Sequence, residues 1–345
     1  MPKVLLGRTG IQSEFNAFGA LPIQRVSSEY AQMLLRKAYD NGFTFFDTAR
    51  SYSDSEEKMG LALSDVRQNI TIATKTPAKT TEDFWNHLHQ SLKLLKTDYV
   101  DIFQFHNPDS FPKPGDASGL YEAMLEAKKQ GKIRFIGISN HRLPVAAAAV
   151  QSGLYDTLQF PFSYLSSEED IKLVKLCEAQ GVGFIAMKAL SGGLLTNAKA
   201  CNAWLAQFGN VLPIWGIQKE EELDEYIQMM ANPPSLTQDL QELIAKDRNE
   251  LSGSFCRGCG YCLPCPAGIQ INNCARMSQL IRRSPTANWL GSQGQEMMSK
   301  IEDCTLCGQC RTKCPYNLDP PALIRTNLED YKEIISGKKT VASIL

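Results

Sequence analysis

The chain has 345 residues, 43% of them hydrophobic, enough to bury a large core and to divide into a barrel-sized domain and a smaller one. With 36 basic against 37 acidic residues the formal charge is -1, which removes any bulk electrostatic pull toward nucleic acid or an anionic membrane surface. No run reaches the roughly 18–20 apolar residues that span a bilayer, and the start MPKVLLGRTGIQSEF lacks a long apolar secretory core; a cytoplasmic protein with no nucleic-acid and no membrane partner is expected.

In chain order, apolar β-rich runs alternate with helical patterns. FNAFGALPI is followed by SSEYAQMLLRKAYDNG, FTFFDTA by SEEKMGLAL, ITIATK by TEDFWNHLHQSLKLLK, and YVDIFQFH by YEAMLEAKKQG. IRFIGISN then precedes LPVAAAAVQSG, TLQFPFSY precedes SEEDIKLVKLCEAQG, GFIAMKAL precedes AKACNAWLAQFG, and VLPIWGI precedes KEEELDEYIQMM. Eight such pairs predict an α/β fold, a (β/α)8 TIM barrel over residues 1–250. An open doubly wound sheet is the rival, and the lack of a G-x-G-x-x-G fingerprint after the first strand counts against it.

Four polar residues fall at or just after strand ends: Asp47, Tyr52, Lys75 and His106. In a barrel of this kind those ends converge on one mouth. Carbonyl reduction by hydride needs an acid for the developing alkoxide. A tyrosine serves if an ammonium favours its phenolate, a carboxylate holds the ammonium, and an imidazole orients the carbonyl. Taken singly, an Asp, Lys or His at a strand end reads sooner as an ion pair or a cap; the four together, in order, reverse that reading. His87 and His89 lie two apart on a helix and point to different sides, so a solvated face accounts for them. His141, next to Asn140, reads as a helix-entry residue or as one that supports the site from behind, rather than as a catalyst.

These stretches resemble the aldo/keto reductase family. FFDTARSYSDSEEKMGLAL is similar to the stretch holding that family's catalytic Asp and Tyr, and IATK and DIFQFHNPD to its lysine and histidine segments. The opening LGRTGIQSEFNAFGA resembles the family's first hairpin and strand, and the likeness runs over residues 3–230. It implies that Asp47, Tyr52, Lys75 and His106 are catalytic. It also implies that Ser139 and Asn140 of IGISNH, with Gln159 of LQFPFSY, hold the nicotinamide carboxamide of NADP or NAD. Met187 takes the place of an aromatic residue that stacks on the nicotinamide in many members, within Met187-Lys188-Ala189-Leu190. Gly192 and Gly193 of LSGGLL suit the pyrophosphate, and Lys219 and Glu225 fall in the turn and helix of the adenosine end. Glu222 stands where an arginine often meets the 2′-phosphate, which leaves the choice between NADP and NAD open.

From about Leu251 the character changes. Cys256, Cys259, Cys262 and Cys265 are spaced x2-x2-x2 with Pro266 after them, and Cys304, Cys307, Cys310 and Cys314 are spaced x2-x2-x3 with Pro315 after them. The second run is the bacterial ferredoxin signature, in which the fourth cysteine serves the partner cluster. Residues 251–345 are therefore expected to be a small, mainly helical ferredoxin-like domain with two [4Fe-4S] clusters. One would take Cys256, Cys259, Cys262 and Cys314; the other would take Cys304, Cys307, Cys310 and Cys265. Zinc needs only four thiolates per site, and the triple x2 spacing followed by Cys-Pro exceeds what it calls for. Disulfides suit neither the crowding nor the compartment. The intervening stretch reads as helical with a break near Ser284-Pro285, and Cys274 as a bystander. The resemblance thus narrows to aldo/keto reductases carrying a C-terminal two-cluster domain.

The combination predicts an NAD(P)H-linked oxidoreductase acting on a small carbonyl or alcohol substrate, with Tyr52 as general acid. The alternative is a redox enzyme or electron-transfer subunit whose clusters exchange electrons with a ferredoxin or flavoprotein partner.

Overall fold

The computed structural model describes residues 3–251, 255–283 and 286–341; the helix break expected near Ser284-Pro285 falls outside the described residues. The chain folds into two units, residues 1–189 with 201–236, and residues 190–200 with 237–345. The segment 190–200 and the helix over 238–250 thus group with the cysteine-rich part of the chain.

The first unit is a closed barrel of parallel strands in the order β10-β3-β4-β5-β6-β7-β8-β9. A hairpin, β1 (Val4–Leu5) and β2 (Gln12–Ser13), precedes it. The barrel strands are β3 (Ala17–Gly19), β4 (Phe45–Asp47), β5 (Thr71–Thr76), β6 (Val100–His106), β7 (Ile133–Ser139), β8 (Thr157–Pro161), β9 (Gly183–Met187) and β10 (Val211–Gly216). Most of their β-branched and aromatic residues are buried, on both faces, as strands between a packed barrel interior and a helical ring must be. The helices are α1 (Ser28–Asp40), α2 (Ser55–Leu63), α3 (Thr81–Leu95), α4 (Leu120–Lys129), α5 (Leu143–Gln151), α6 (Glu168–Ala179), α7 (Ala198–Leu205) and α8 (Glu220–Ala231).

In α1 the buried residues are Ala31, Leu34, Leu35 and Ala38, one stripe at helical spacing. Ser27 caps its start by accepting from the Tyr30 N–H. Ser167 and Asp170 form a capping box on α6. At the bottom of the barrel the hairpin crosses β9, where Gly7 bridges Val182. A Cβ on Gly7 would stand 2.3 Å from Gly181 O, so only glycine lets the two backbones meet. Nearby, Asp101 is buried and accepts from Arg67 Nη2 (2.8 Å), Arg134 Nη1 (2.6 Å) and the Ile72 N–H (2.9 Å), tying β5, β6 and β7 together away from the mouth.

The second unit is helical: α9 (Gln238–Glu250), α10 (Ile271–Cys274), α11 (Met277–Arg283), α12 (Ala287–Leu290), α13 (Ser292–Ser299), α14 (Gln309–Thr312) and α15 (Pro320–Ile335). Its core joins Ile271, Met277, Ile281, Met298, Ile301, Ile324 and Tyr331 to the thiols of Cys262, Cys274 and Cys310. Asn327 on α15 accepts from the Ser278 N–H and donates to Ala275 O, locking α15 onto the α10–α11 corner. Arg282 grips Asp330 with two hydrogen bonds, at 2.7 and 3.0 Å. No helix among the described residues is long and apolar enough to cross a membrane.

Candidate active site and thiol-lined cavities

Asp47 ends β4, and Lys75 lies one residue before the end of β5 beside it. Lys75 Nζ donates to both oxygens of Asp47, at 2.8 and 2.7 Å, and to Thr48 O at 2.6 Å. Burial pushes the Asp47 carboxyl up and the Lys75 ammonium down, while their contact opposes both shifts. A pair this buried is costly unless its remaining hydrogen-bond positions are filled. Gln159 Nε2 reaches Asp47 Oδ2 at 3.4 Å, and Gln104 Nε2 donates to Gln159 Oε1 at 2.8 Å. Behind them Glu56, also buried, accepts from Thr74 Oγ1 at 2.6 Å and pairs with Arg50.

Tyr52 sits half-buried in the turn between β4 and α2. Lys75 Nζ lies 5.3 Å from the centre of its ring, and the ring meets His106 edge-on at 5.9 Å. His106 ends β6; burial, then the Lys75 charge, holds its pKa down to about 3. It is therefore neutral across the physiological range, and its Nδ1 is buried with no hydrogen-bond partner among the described residues. The four residues read from the sequence as one chemical set thus come together at the C-terminal strand ends.

Ser139 ends β7 in register with His106, and Gln159 stands opposite Ser139 on β8. Asn140 Nδ2 donates to Pro108 O and its Oδ1 accepts from the Arg142 N–H, both at 2.8 Å. Each primary amide has four hydrogen-bond positions, so Asn140 and Gln159 keep spare ones. Met187 ends β9 half-buried, and Lys188 after it is held at φ +57. His141 is buried, its N–H donates to Asn107 Oδ1 at 3.1 Å, and burial and the Lys188 charge hold its imidazole well below the usual range. Lys219 is exposed just before α8, and Glu225 is half-buried within that helix. Glu222 Oε2 accepts from the Gln218 and Lys219 N–H groups, at 2.9 and 3.0 Å, so its carboxylate caps the helix start. Gly192 and Gly193, at φ +67 and +90, lie in the segment grouped with the second unit, where Gly192 O accepts from Arg276 Nη1 at 2.7 Å.

Two of these partners escaped the sequence reading. Gln104 is an interior polar residue in the otherwise apolar run IFQFH, a pattern that signals a buried polar contact. Arg276 carries no comparable signal. His87, expected on a solvated face, is half-buried with Nδ1 2.9 Å from Thr76 Oγ1, whereas His89 is exposed beside Trp85.

Eight of the nine cysteines of the second unit gather around two cavities, and Cys274 stays in the apolar core. The first, about 360 Å³ with its open rim included, is lined by Cys256, Cys259, Cys262 and Cys314 together with Arg257 and Tyr316. The second, about 390 Å³, is lined by Cys265, Cys304, Cys307 and Cys310, with Cys262 between the two. Among the described residues no three His, Cys, Asp or Glu side chains draw together at single-ion spacing. The glycines of the cysteine loops, Gly258, Gly260 and Gly308, all take left-handed φ, which wraps each loop tightly around its cavity. The Gly258 N–H points at Cys256 Sγ, 3.4 Å away. Burial, then the neighbouring thiols, pushes Cys262 up to about 12, so this thiol ionises readily only with a cation before it. Donor chemistry, N–H···S contact and cavity lining all fit a sulfide-bridged iron cluster in each cavity.

Residues 16–203 match the model of the aldo/keto reductase family, and residues 255–319 match that of the 4Fe-4S dicluster domain. Methylglyoxal reductase DkgB of Salmonella typhi is 32% identical over 259 residues, spanning 70% of this chain and 93% of its own. L-galactose dehydrogenase of Arabidopsis thaliana is 29% identical over 210 residues, covering 55% of this chain and 66% of its own. Among solved structures, an aldo-keto reductase from Klebsiella pneumoniae in complex with NADPH superposes with a TM-score of 0.62 at 20% identity, over 71% of this chain and 94% of that one. An aldo-keto reductase from Bacillus halodurans in its holo form gives 0.63 at 20% identity, over 72% and 96%. At that identity the two structures speak for the fold. The chain belongs to the aldo/keto reductase family of oxidoreductases and carries a C-terminal 4Fe-4S dicluster domain.

Proposed function

We propose that this chain reduces a small carbonyl compound, or oxidises the corresponding alcohol, at the mouth of its barrel, with NADP(H) as its dinucleotide. The observation that carries this reading is the convergence of the Lys75–Asp47 pair on Tyr52 and a neutral His106. When bound, the dinucleotide supplies or accepts the hydride. Ser139, Asn140 and Gln159 would hold its carboxamide with their remaining hydrogen-bond positions, Met187 would pack on the ring, and Lys219 and Glu225 would serve the adenosine end. Gly192 and Gly193, free of a side chain and in left-handed φ, suit a pyrophosphate. With Glu222 committed to its helix cap, Lys219 remains to meet a 2′-phosphate.

In this reading Tyr52 gives its phenolic proton to the substrate oxygen as charge develops there. Lys75 favours the phenolate left behind, because its ammonium stands beside the ring. Asp47 keeps that ammonium charged and in place despite burial, and Gln159 and Gln104 orient Asp47. His106, neutral, donates a hydrogen bond to the carbonyl oxygen and does not compete as an acid. General acid catalysis of this type contributes on the order of 10² to 10⁴ in rate. Tyr52→Phe is accordingly expected to lower NADPH-linked carbonyl reduction by about that factor, with iron content and visible absorption unchanged. Retained activity would remove Tyr52 from the role.

In the second unit we assign Cys256, Cys259, Cys262 and Cys314 to one cluster, and Cys304, Cys307, Cys310 and Cys265 to the other, taking residues 1–250 as the barrel domain and 251–345 as the cluster domain. A second reading rests on the rim of the second cavity, where Cys307 is exposed and Leu306 is 55% exposed. An apolar contact beside a cluster ligand suits brief docking of a ferredoxin or flavoprotein. Under this reading, reduced ferredoxin bleaches the cluster absorption within seconds, and Leu306→Asp slows it; bleaching indifferent to Leu306 would remove the site.

A further inference from the structure

The two cavities differ in their electrostatic surroundings, and the difference centres on one side chain. Arg276 lies at the corner between α10 and α11 and is only 9% exposed. Its guanidinium interacts electrostatically with Cys256 and Cys259 of the first cavity, no carboxylate pairs with it among the described residues, and its Nε has no hydrogen-bond partner there. Burial works against the charge, yet a guanidinium stays protonated in any protein environment, so a permanent cation sits behind two cysteines.

The backbone is shaped around it. A Cβ on Gly258 would fall 2.7 Å from the guanidinium carbon, and one on Gly192 would fall 3.0 Å from Nη1. Both glycines take left-handed φ, and Gly192 O accepts from Nη1 at 2.7 Å. One guanidinium is thus clasped between the first cysteine loop and the Gly192–Gly193 turn. Among the described residues no such group lines the second cavity. Arg311, next to Cys310 in sequence, is largely exposed and neutralised by Asp319 through hydrogen bonds of 2.8 and 2.6 Å. Arg257, which also lines the first cavity, is half-buried over the rings of Phe255 and Tyr316 and reinforces the same asymmetry.

We propose that Arg276 is a positioning residue for the cluster on Cys256, Cys259, Cys262 and Cys314, raising its reduction potential above that of the other cluster and making the Gly192–Gly193 turn depend on its presence. A reduced cluster carries one more negative charge than an oxidised one, so a buried, unpaired cation favours the reduced form. The inference rests on the ligand sets assigned above, and iron analysis tests those separately: wild-type protein well short of about eight irons per chain would defeat the ligand sets before any potential is measured.

The test is a dye-mediated redox titration of the holoprotein followed by electron paramagnetic resonance. Cys307→Ser shifts the wave of the second cluster and so labels it; the unlabelled wave is expected at the higher potential, and the reverse order overturns the proposal. In Arg276→Gln the first wave is expected to fall by at least tenfold in its reduction equilibrium, ~59 mV for one electron, while the second stays within that margin. Arg276→Lys, which keeps the charge, should restore most of the shift but not the grip on Gly192 O. Amides around Gly192–Leu195 should therefore exchange faster in both variants and in iron-depleted wild-type protein. Equal shifts of both waves, no shift of either, or unchanged exchange at the turn would each count against Arg276. If Arg276→Gln fails to load iron, the wild-type order of the two waves and the lysine variant decide the matter.

Discussion

The barrel and the second unit solve the same problem by opposite means. In the barrel the space between elements is filled by side chains, with Phe18, Phe46, Phe103 and Trp215 among the largest that are wholly buried. In the second unit two thiol-lined cavities, open at the rim, stand beside a smaller apolar core that shares Cys262 and Cys310 with them. A close-packed interior draws its stability from area removed from water, about 25 cal/mol per Å². A core arranged around ligands draws it from metal–thiolate bonds, in the manner of domains that are unfolded without their metal. The contrast separates what holds each unit together, and it can be broken in three ways.

The largest effect is expected from removing iron. Chelation under reducing conditions should raise amide exchange in α10, α11 and α15 by more than about 100-fold, since local opening there loses its metal linkage. Amides of β5 to β8 should not change. Equal loss of protection in the barrel would mean that the units do not hold themselves separately.

Next comes a change confined to the barrel. Asp101→Ala leaves Arg67 buried without its counter-charge and the Ile72 N–H without its acceptor, which should destabilise the barrel by about 3–5 kcal/mol. Iron content should stay at the wild-type value. Denaturant unfolding followed by tryptophan emission in a Trp289→Phe background reads the barrel alone, because Trp85, Trp204 and Trp215 all belong to it.

The smallest effect is a pH dependence. The folded pKa of His106 lies near 3, against 6.5 for a free imidazole, so between those values the unfolded chain binds the extra proton. Barrel stability should fall as pH drops from 6.5, by about 2 kcal/mol at pH 5, and His106→Asn should remove that part of the slope. A slope unchanged in the variant would show that His106 is not held neutral by burial.

Much of this is legible in the amino-acid sequence. Strand and helix periods, together with Asp47, Tyr52, Lys75 and His106 at successive strand ends, lead to a barrel with one mouth because parallel strands put their C-terminal ends on the same side. The two cysteine runs lead to two sites because three thiols at intervals of three wrap a single cavity. What stayed illegible was pairwise and distant in sequence. Gln104 meets Gln159 only through the register of β6, β7 and β8, and Arg276 meets Gly192 only through the packing of the second unit. Glu222 could be aligned with a phosphate-binding arginine by position, but its hydrogen bonds to the start of α8 are a matter of local geometry. The same limit applies to His87, whose bond to Thr76 crosses from α3 to β5.

The way the two cysteine runs share the two cavities has a consequence for the order of synthesis. Cys314 lines the cavity of the first run, and Cys265 lines that of the second. A chain emerging from the ribosome would present three thiols of the first set long before the fourth exists. The second set would be complete once Cys310 is made, and the first only at Cys314. Neither cavity can close on a cluster while the domain is half-built. Loading would then wait until Cys314 has been made, when the barrel sequence has already emerged and can fold without waiting for iron.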